Sequence, residues 1–199
     1  LTIAAGGTVL VNSGSTLTVD NGTGTDVTVN GTLETAGTVS VNASAVVAVN
    51  GGYFQIDEGG WGGSTGTYTY DATGMLVFNN TSGFYGVDGT SAFFPSPISN
   101  VTLTGAGGLQ INATKTVTGL FQAGAGVKNS FGNDLIVSGT VQIGGGGYFD
   151  NFSPTYSGTG SLVYNSGGSY GTYNEWTGTG ATVGYGTPYN VTVQNTTAV

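Results

Sequence analysis

Two short segments of the chain place carboxylates close to a tryptophan. Glu175 directly precedes Trp176, and the Asp57-Glu58 pair lies in a glycine-rich stretch beside Trp61. A carboxylate next to an indole is typical of a sugar-binding subsite, and two carboxylates could together cleave a glycosidic bond. The alternative is that these are solvated loop charges beside rings that cover the end of a layer of strands. The residue types alone leave both interpretations open.

Other reactive side chains are few. The 199 residues include no cysteine, histidine or arginine, which excludes Ser-His-Asp and Cys-His nucleophiles and metal sites built on histidine or cysteine. The two lysines, Lys115 and Lys128, have no acidic cluster nearby in sequence. The net charge is −8, and no run of cations is present to displace the counterions of a nucleic acid. We therefore expect no enzyme, no cofactor and no nucleic-acid partner.

Calcium, ice and membrane binding are indicated weakly or not at all. The aspartates are scattered and form no EF-hand loop, which leaves only an adventitious calcium site at a loop such as Asp20-Asn21-Gly22. Thr-x-Thr pairs, which bind ice when arrayed regularly, are irregularly spaced here, and threonine is favoured in any strand. No apolar stretch reaches the roughly 18 residues that span a bilayer, so we expect no membrane insertion.

The aromatic side chains are concentrated in one part of the sequence. Residues 1–52 contain none, and all of them lie between Tyr53 and Tyr189, many in glycine-rich connections. Packing across a neutral sheet face is the favoured interpretation. The alternative is an exposed strip that contacts glycans or a neighbouring subunit. The candidate contact residues for such a strip are Trp61, Phe93, Phe94, Tyr173, Glu175 and Trp176.

Short strands must position these residues. Within the first 50 residues, apolar and polar side chains alternate in bursts at 8–12, 16–20, 27–30, 38–42 and 46–50. Glycine-containing pairs such as Asn-Gly separate the bursts, and Asn and Gly tolerate the positive φ of tight corners. No segment shows helical periodicity. The pattern predicts an all-β protein with aromatic- and glycine-rich loops.

Two architectures fit such strands: a right-handed parallel β-helix (β-solenoid) and an antiparallel β-sandwich. The solenoid is favoured because the strands recur too closely for most hairpin and Greek-key connections. Threonine and valine also recur at matching strand positions, as expected for stacked coils of about 20 residues. The residues expected to point inward are Val9, Val11, Leu17, Val19, Val27, Val29, Val39, Val41, Leu76, Leu103, Leu162 and Val191.

Part of the sequence is duplicated. Gly-Gly-Tyr-Phe at 51–54 returns at 146–149, Thr-Gly-Met-Leu-Val-Phe-Asn at 73–79 returns in similar form at 159–165, and Asn-Val-Thr-Leu at 100–103 returns at 190–193. This predicts one continuous solenoid in three parts: aromatic-free coils at 1–52, a first repeat unit at 53–145 and a second, partial unit at 146–199. The pairs expected to be equivalent are Tyr53 and Tyr148, Phe78 and Tyr164, and Asn100 and Asn190.

These segments carry a resemblance to a known class of protein. TVNGTLETAGTVSV at 28–41, VNGGYF at 49–54, TGMLVFN at 73–79, GSLVYNSGGSYGTYNEW at 160–176 and TPYNVTV at 187–193 together resemble the repeat regions of very large secreted surface proteins of the Bacteroidota. Such proteins are exported by the type IX route and include adhesins of the gliding-motility kind. The resemblance implies an extracellular, cell-surface repeat module built as a β-helix, with no catalytic residues to carry over.

The sequence thus predicts a structural or adhesive segment of an extracellular multi-repeat protein or filament. It would act as a rigid spacer and contact surface. One alternative is a carbohydrate-binding module, which requires Trp61 and Trp176 to be exposed along one groove. The others are an ice-binding and a polysaccharide-degrading β-helix.

The two ends of the sequence bear on partners. Residues 1–3 and 190–193 contain no proline, lysine or arginine to discourage the addition of a strand, and neither end has the character of a cap. We therefore expect each end to pair with further coils of the same chain or with an identical neighbour. Surface glycans are a second class of expected partner.

Overall fold

The computed structural model describes residues 1–129, 135–180 and 182–195, and these residues form strands and connections but no helix. In the first half of the chain the strands are β1 (Thr2–Ile3), β2 (Thr8–Val11), β3 (Thr16–Val19), β4 (Val27–Val29), β5 (Thr32–Thr35), β6 (Thr38–Val41), β7 (Val46–Val49), β8 (Tyr53–Asp57), β9 (Thr67–Tyr70), β10 (Met75–Asn79) and β11 (Tyr85–Val87). In the second half they are β12 (Asn100–Leu103), β13 (Leu109–Ile111), β14 (Lys115–Val117), β15 (Leu120–Ala123), β16 (Gly126–Asn129), β17 (Leu135–Val137), β18 (Thr140–Ile143), β19 (Tyr148–Asp150), β20 (Thr155–Tyr156), β21 (Ser161–Tyr164) and β22 (Val191–Val193).

All pairings between these strands are parallel. One sheet, here called the central sheet, has nine strands in the order β2-β5-β8-β10-β12-β15-β18-β21-β22. Strands that precede a central strand in the chain form the sheets β1-β4-β7-β9 and β14-β17-β20. Strands that follow a central strand form the sheets β3-β6 and β11-β13-β16-β19. Each turn of the chain therefore adds one strand to the central sheet.

This arrangement of stacked parallel coils is a β-solenoid. One coil runs through β14, β15 and β16, and the next runs through β17, β18 and β19, so that Phe121 lies beside Val141. The connection between the paired residues Leu162 and Val191 is longer because it carries an aromatic loop. The predicted parallel solenoid is confirmed, and the antiparallel sandwich is wrong.

Two rows of inward-facing side chains on the central sheet form much of the core. One row is Leu33, Phe54, Leu76, Val101, Phe121, Val141 and Leu162, and the other is Thr35, Ile56, Phe78, Leu103, Ala123, Ile143 and Tyr164; all are buried. The predicted inward residues are buried except Val9, Leu17 and Val191, which are half-buried in the end coils and pack against the core. Between the two rows runs an outward row consisting of Leu10, Glu34, Gln55, Val77, Thr102, Gln122, Gln142, Val163 and Thr192.

The Asn-Gly corners have a steric cause. Gly51 has a φ of 71°, in the left-handed region that glycine adopts without strain. At Gly31 and Gly52 the reason is close approach between coils, since a Cβ at Gly31 would collide with the carbonyl oxygen of Gly7 and one at Gly52 with that of Gly31. Glycines therefore stack above one another where the chain enters the central sheet.

The sheets beside the central sheet change partway along the solenoid. The β1-β4-β7-β9 and β3-β6 sheets end, and the sheets that begin with β11 and β14 replace them. Residues 80–99, here called the first aromatic loop, connect β10 to β12 at this point. The fully buried ring of Phe93 meets four other rings, with centroid distances of 6.4 Å to Phe54, 5.3 Å to Trp61, 6.5 Å to Phe78 and 6.3 Å to Tyr85. The loop thus fills the core where the sheets change.

A buried lysine lies next to this loop. Lys115 shares the inward face of β14 with Val117. Its Nζ donates a hydrogen bond to the carbonyl oxygen of Phe94 at 2.6 Å and lies 5.2 Å from the centre of the Phe94 ring. Burial lowers the pKa of Lys115, and the charge of Asp88 partly opposes this. This contact was not predicted, although the alternation in Lys115-Thr116-Val117 places the lysine inward.

The duplication is visible in part. Leu76 pairs with Val101 as Leu162 pairs with Val191, so both copies lie on neighbouring strands of the central sheet. Phe78 and Tyr164 are both buried in the same inward row.

The Gly-Gly-Tyr-Phe segments, however, are not equivalent. Tyr53 begins β8 in the central sheet, and Tyr148 begins β19 in another sheet. The expected equivalence of this pair is wrong, because glycines followed by aromatic residues suit any corner that leads into a strand. The boundaries at 53–145 and 146–199 stay predictions.

Candidate contact surface

Residues 166–180 and 182–189, here together called the second aromatic loop, cover part of the C-terminal end of the solenoid. The backbone N–H of Asn174 donates to the carbonyl of Phe149 on β19 at 3.4 Å, and the N–H of Tyr156 on β20 donates to Gly184 at 3.0 Å. The outer edges of two sheets are thereby occupied. The prediction of an uncapped end concerns residues 190–193 and does not extend to these two sheets, which are covered by loop backbone groups that have no strand pattern in the sequence. Among the described residues, β22 of the central sheet is the strand whose outer edge is not covered at this end.

Glu175 anchors this loop. Its side chain is fully buried, and its Oε1 accepts hydrogen bonds from the Tyr164 hydroxyl and the Tyr173 N–H, each at 3.0 Å. The Tyr156 hydroxyl donates to the Glu175 backbone carbonyl at 2.8 Å. Because Tyr156 and Tyr164 lie on β20 and β21, Glu175 ties the loop to two strands. The expectation that Glu175 contacts a ligand at the surface is therefore wrong.

A cluster of tyrosines surrounds this carboxylate. The ring of Tyr170 lies 5.3 Å from that of Tyr164 and 5.9 Å from that of Tyr173, which in turn lies 5.5 Å from Tyr148. Burial, and secondarily the charge of Glu175, raise the pKa of Tyr164 and of Tyr170. These hydroxyls therefore stay protonated and able to donate. Glu175 Oε2 and the Tyr170 hydroxyl are both buried, and neither has a partner at normal hydrogen-bond geometry among the described residues, although their interaction contributes to the raised pKa of Tyr170.

Three of the predicted contact residues belong to the first half of the solenoid. Phe93 and Phe94 are fully buried, so they cannot contact a ligand, and the packing interpretation is right for them. Trp61 is half-buried, with its ring edge-on to Phe93 at an interplanar angle of 78°. The backbone of Trp61 forms a parallel β-bridge with Thr38, the first residue of β6, whereas Trp176 lies in the second aromatic loop. The two tryptophans therefore do not line one groove.

The acidic residues near Trp61 form a different pair from the one that the sequence suggests. Asp57 accepts hydrogen bonds from Gln55 at 2.9 Å and from Asn79 at 2.8 Å, both on the outside of the central sheet. Its hydrogen bond with Glu34, together with partial burial and the Asp57 charge, raises the pKa of Glu34. The alternation of β5 places Glu34 in the outward row, and this pattern could have predicted that Glu34 lies next to Asp57.

Glu58 points away from this pair. Its carboxylate accepts hydrogen bonds from the backbone N–H groups of Thr81 at 2.7 Å and Ser82 at 2.9 Å. These bonds lower the pKa of Glu58 to about 2. The residue anchors the start of the first aromatic loop, and Asp57 and Glu58 do not act as a catalytic pair in this arrangement.

Exposed aromatic residues gather in the C-terminal quarter. Tyr173 and Trp176, both predicted as contact residues, are exposed, and so are Phe152 and Tyr185, which were not among the predicted contact residues. Phe152, Trp176 and Tyr185 are here called the aromatic patch. Each adjoins a residue that is buried or hydrogen-bonded in the cap, so burial alternates with exposure along these segments. Strand periodicity could not have found them, because none lies in a strand.

The described residues offer little other binding chemistry. Among them no enclosed pocket is found, and no three acidic side chains come close enough together to hold a metal ion. Asp20, the predicted position of an adventitious calcium site, accepts a hydrogen bond from the side-chain amide of Asn42. No described helix could cross a membrane. Asp134, another of the scattered aspartates considered for calcium binding, lies outside the described residues.

Comparisons with known proteins give no relative for the chain. No protein-family model matches it, and neither a curated protein nor a solved structure matches it. The kinship with Bacteroidota surface proteins thus stays a prediction from the sequence.

Proposed function

We propose that this chain is a structural, non-catalytic segment of an extracellular surface protein, in which it acts as a rigid spacer that presents a contact surface. The observation that supports this is the central sheet, which runs through nine parallel strands without interruption. The resemblance to the repeat regions of secreted Bacteroidota adhesins agrees with this role. The same resemblance is the basis for proposing a cell-surface location.

Stiffness in such a molecule comes from its backbone and core. Neighbouring strands hydrogen-bond along the long axis, and the inward rows bury a continuous column of apolar side chains. Charged residues make up only 6% of the chain and cysteine is absent, so neither ion-pair networks nor disulfides carry the stability. A rod built in this way keeps its length when salt or redox conditions change.

The open strand edges indicate how such a spacer would be extended. At the first coil, β1, β2 and β3 are each the outermost strand of a sheet, and Leu10 on β2 is 49% exposed. At the other end, β22 is the one uncovered edge strand in the part of the chain that the structure describes. Unpaired edge groups are templates for another strand. We therefore propose that a further β coil, of the same chain or of a second copy, stacks on the first coil.

Sedimentation velocity over a range of concentrations tests this stacking with the 199-residue chain. The chain should associate as its concentration rises, and Leu10→Lys should weaken the association because it places a charge beside the open edge. Thr192→Lys makes the same change beside β22 and shows whether that edge is also used. Closed dimers indicate pairing of two first coils, and fibres indicate head-to-tail stacking.

Gln142→Lys is the matched control, since Gln142 occupies the same outward row in an interior strand. It should leave the association unchanged. A chain that stays monomeric at the highest concentration would contradict the stacking, and so would an equal effect of all three lysines.

A further inference from the structure

The aromatic patch is held on a fixed backbone. The Ser153 and Thr177 hydroxyls lie 2.6 Å apart, and the Ser153 N–H donates to the Tyr185 hydroxyl at 3.1 Å. Ser153 follows Phe152 in the chain, and Thr177 follows Trp176. The segments that carry the three rings are therefore joined to each other, and the rings are 40%, 42% and 45% exposed in chain order. A surface arranged in advance in this way loses little entropy when it binds.

The segment that carries the patch has almost no charge, and the nearest charged residue along the chain outside it is the half-buried Asp150 at the end of β19, two residues before Phe152. From residue 151 to the end of the sequence, Glu175 is the only residue of the types Asp, Glu, Lys and Arg, and its side chain is buried. Serine, threonine and asparagine hydroxyls and amides supply the polar groups instead. Such a surface has no complement for a polyanion or a polycation. It does suit a ligand that combines hydroxyl groups with apolar faces.

The size of the patch argues against a protein partner. An aromatic residue has about 150–250 Å² of area to bury, so three rings at these exposures offer about 200–300 Å² in total. A stable protein interface needs about 800 Å² on each partner. Glycines such as Gly178 and Gly184 flank the rings and add little side-chain area. The area matches one to a few sugar rings better than a second copy of this chain.

We propose that the aromatic patch of Phe152, Trp176 and Tyr185 binds an uncharged polysaccharide. The apolar faces of its pyranose rings stack on the aromatic side chains, and the hydroxyl and amide groups of the cap bond the sugar hydroxyls. Trp176 offers the largest stacking face of the three. The site is independent of the spacer role, since it belongs to the cap rather than to the open edges.

Native affinity electrophoresis of the intact chain tests this proposal. The gels contain xylan, a neutral soluble β-glucan or, as an anionic comparison, polygalacturonate. We expect retardation by at least one neutral gel and none by polygalacturonate. Trp176→Ala should weaken binding about tenfold or more, because truncating a central stacking ring costs more than 1.4 kcal/mol. Trp176→Tyr should restore part of the affinity.

Tyr53→Ala is the matched control, because Tyr53 is 48% exposed on the central sheet and lies outside the patch. It should bind like the unchanged chain, and circular dichroism should show that each variant is folded. Four results would each overturn the proposal: no retardation by the neutral gels, retardation by polygalacturonate alone, full affinity in Trp176→Ala, or a self-association that Trp176→Ala abolishes.

Discussion

Glu175 shows how a single residue can define the end of a solenoid. A buried carboxylate costs free energy unless hydrogen bonds compensate for its lost hydration, and here the donors come from β21 and from the loop itself. Replacing Glu175 with Ala should lower the free energy of unfolding by about 1–3 kcal/mol, because the Tyr164 hydroxyl and the Tyr173 N–H lose their acceptor. Urea unfolding measures this loss.

Amide hydrogen exchange locates the same effect. Exchange should accelerate in the second aromatic loop of Glu175→Ala and stay slow in β12 and β15. Glu175→Gln keeps a carbonyl acceptor and should be less destabilised. An unfolding free energy equal to that of the unchanged chain would show that Glu175 does not anchor the cap.

Two other glutamates should affect the pH dependence of stability with opposite signs. Glu58 has a pKa of about 2 in the folded chain against 4.5 ordinarily. Its contribution is therefore complete above pH 4.5 and disappears as the pH falls towards 2. Glu58→Gln should lower the Tm at pH 6, and the difference should vanish near pH 2.

Glu34 provides the comparison. Its pKa is raised, first by the hydrogen bond with Asp57, so the folded chain holds this proton more tightly than the unfolded chain does. That stability is present in acid and is lost as the pH rises through the raised pKa. Glu34→Gln should therefore raise the Tm at pH 7 and give no gain in acid. Parallel pH profiles for the two variants would contradict both assignments.

At the scale of elements, the first aromatic loop stabilises the point where the outer sheets change. Phe93 is fully buried among other rings, whereas Phe84 in the same loop is 38% exposed. Phe93→Ala should cost about 3–5 kcal/mol, because it leaves a cavity in the core. Phe84→Ala should cost less than about 1 kcal/mol. Thermal unfolding compares the two variants, and similar losses would show that the loop does not fill the core.

The strands were predictable and the loops were not, for a physical reason. In a strand such as Thr38–Val41, the alternation of apolar and polar residues identifies the inward face, and the inward faces of successive coils pack on one another. Phe93 and Trp176 both stand in glycine-rich segments, yet one is buried and the other exposed. Their burial depends on which coil lies beneath them, and no local pattern records this.

The same difference between strands and loops explains why the candidate site was predicted only in part. Glu175 and Trp176 are adjacent, and their pairing suggested one sugar subsite. The structure places the carboxylate inward, where tyrosines bond it, and the indole outward. Tyr173 and Trp176 were identified from sequence, whereas Phe152 and Tyr185 become part of the surface only through hydrogen bonds that link distant segments.

At the scale of the whole molecule, the solenoid is asymmetric. One end has open strands in three sheets, and the other carries a cap that covers two sheets and presents neutral aromatic rings. The carboxylates other than Glu175 all precede residue 151. A spacer of this kind separates an end that can be extended from an end that makes contacts.

The most direct test of a rigid spacer is the distance between spin labels along its outward row. The chain has no cysteine, so Leu10→Cys with Thr192→Cys labels only the first and last of the nine strands. Eight strand spacings of about 4.8 Å predict a distance of about 38 Å between the labelled backbone positions. Glu34→Cys with Gln142→Cys spans five spacings and should give about 24 Å. Pulsed dipolar spectroscopy should show one narrow distribution near each distance, in the ratio of eight to five. Broad distributions, or an end-to-end distance much shorter than this ratio requires, would contradict the rigid solenoid.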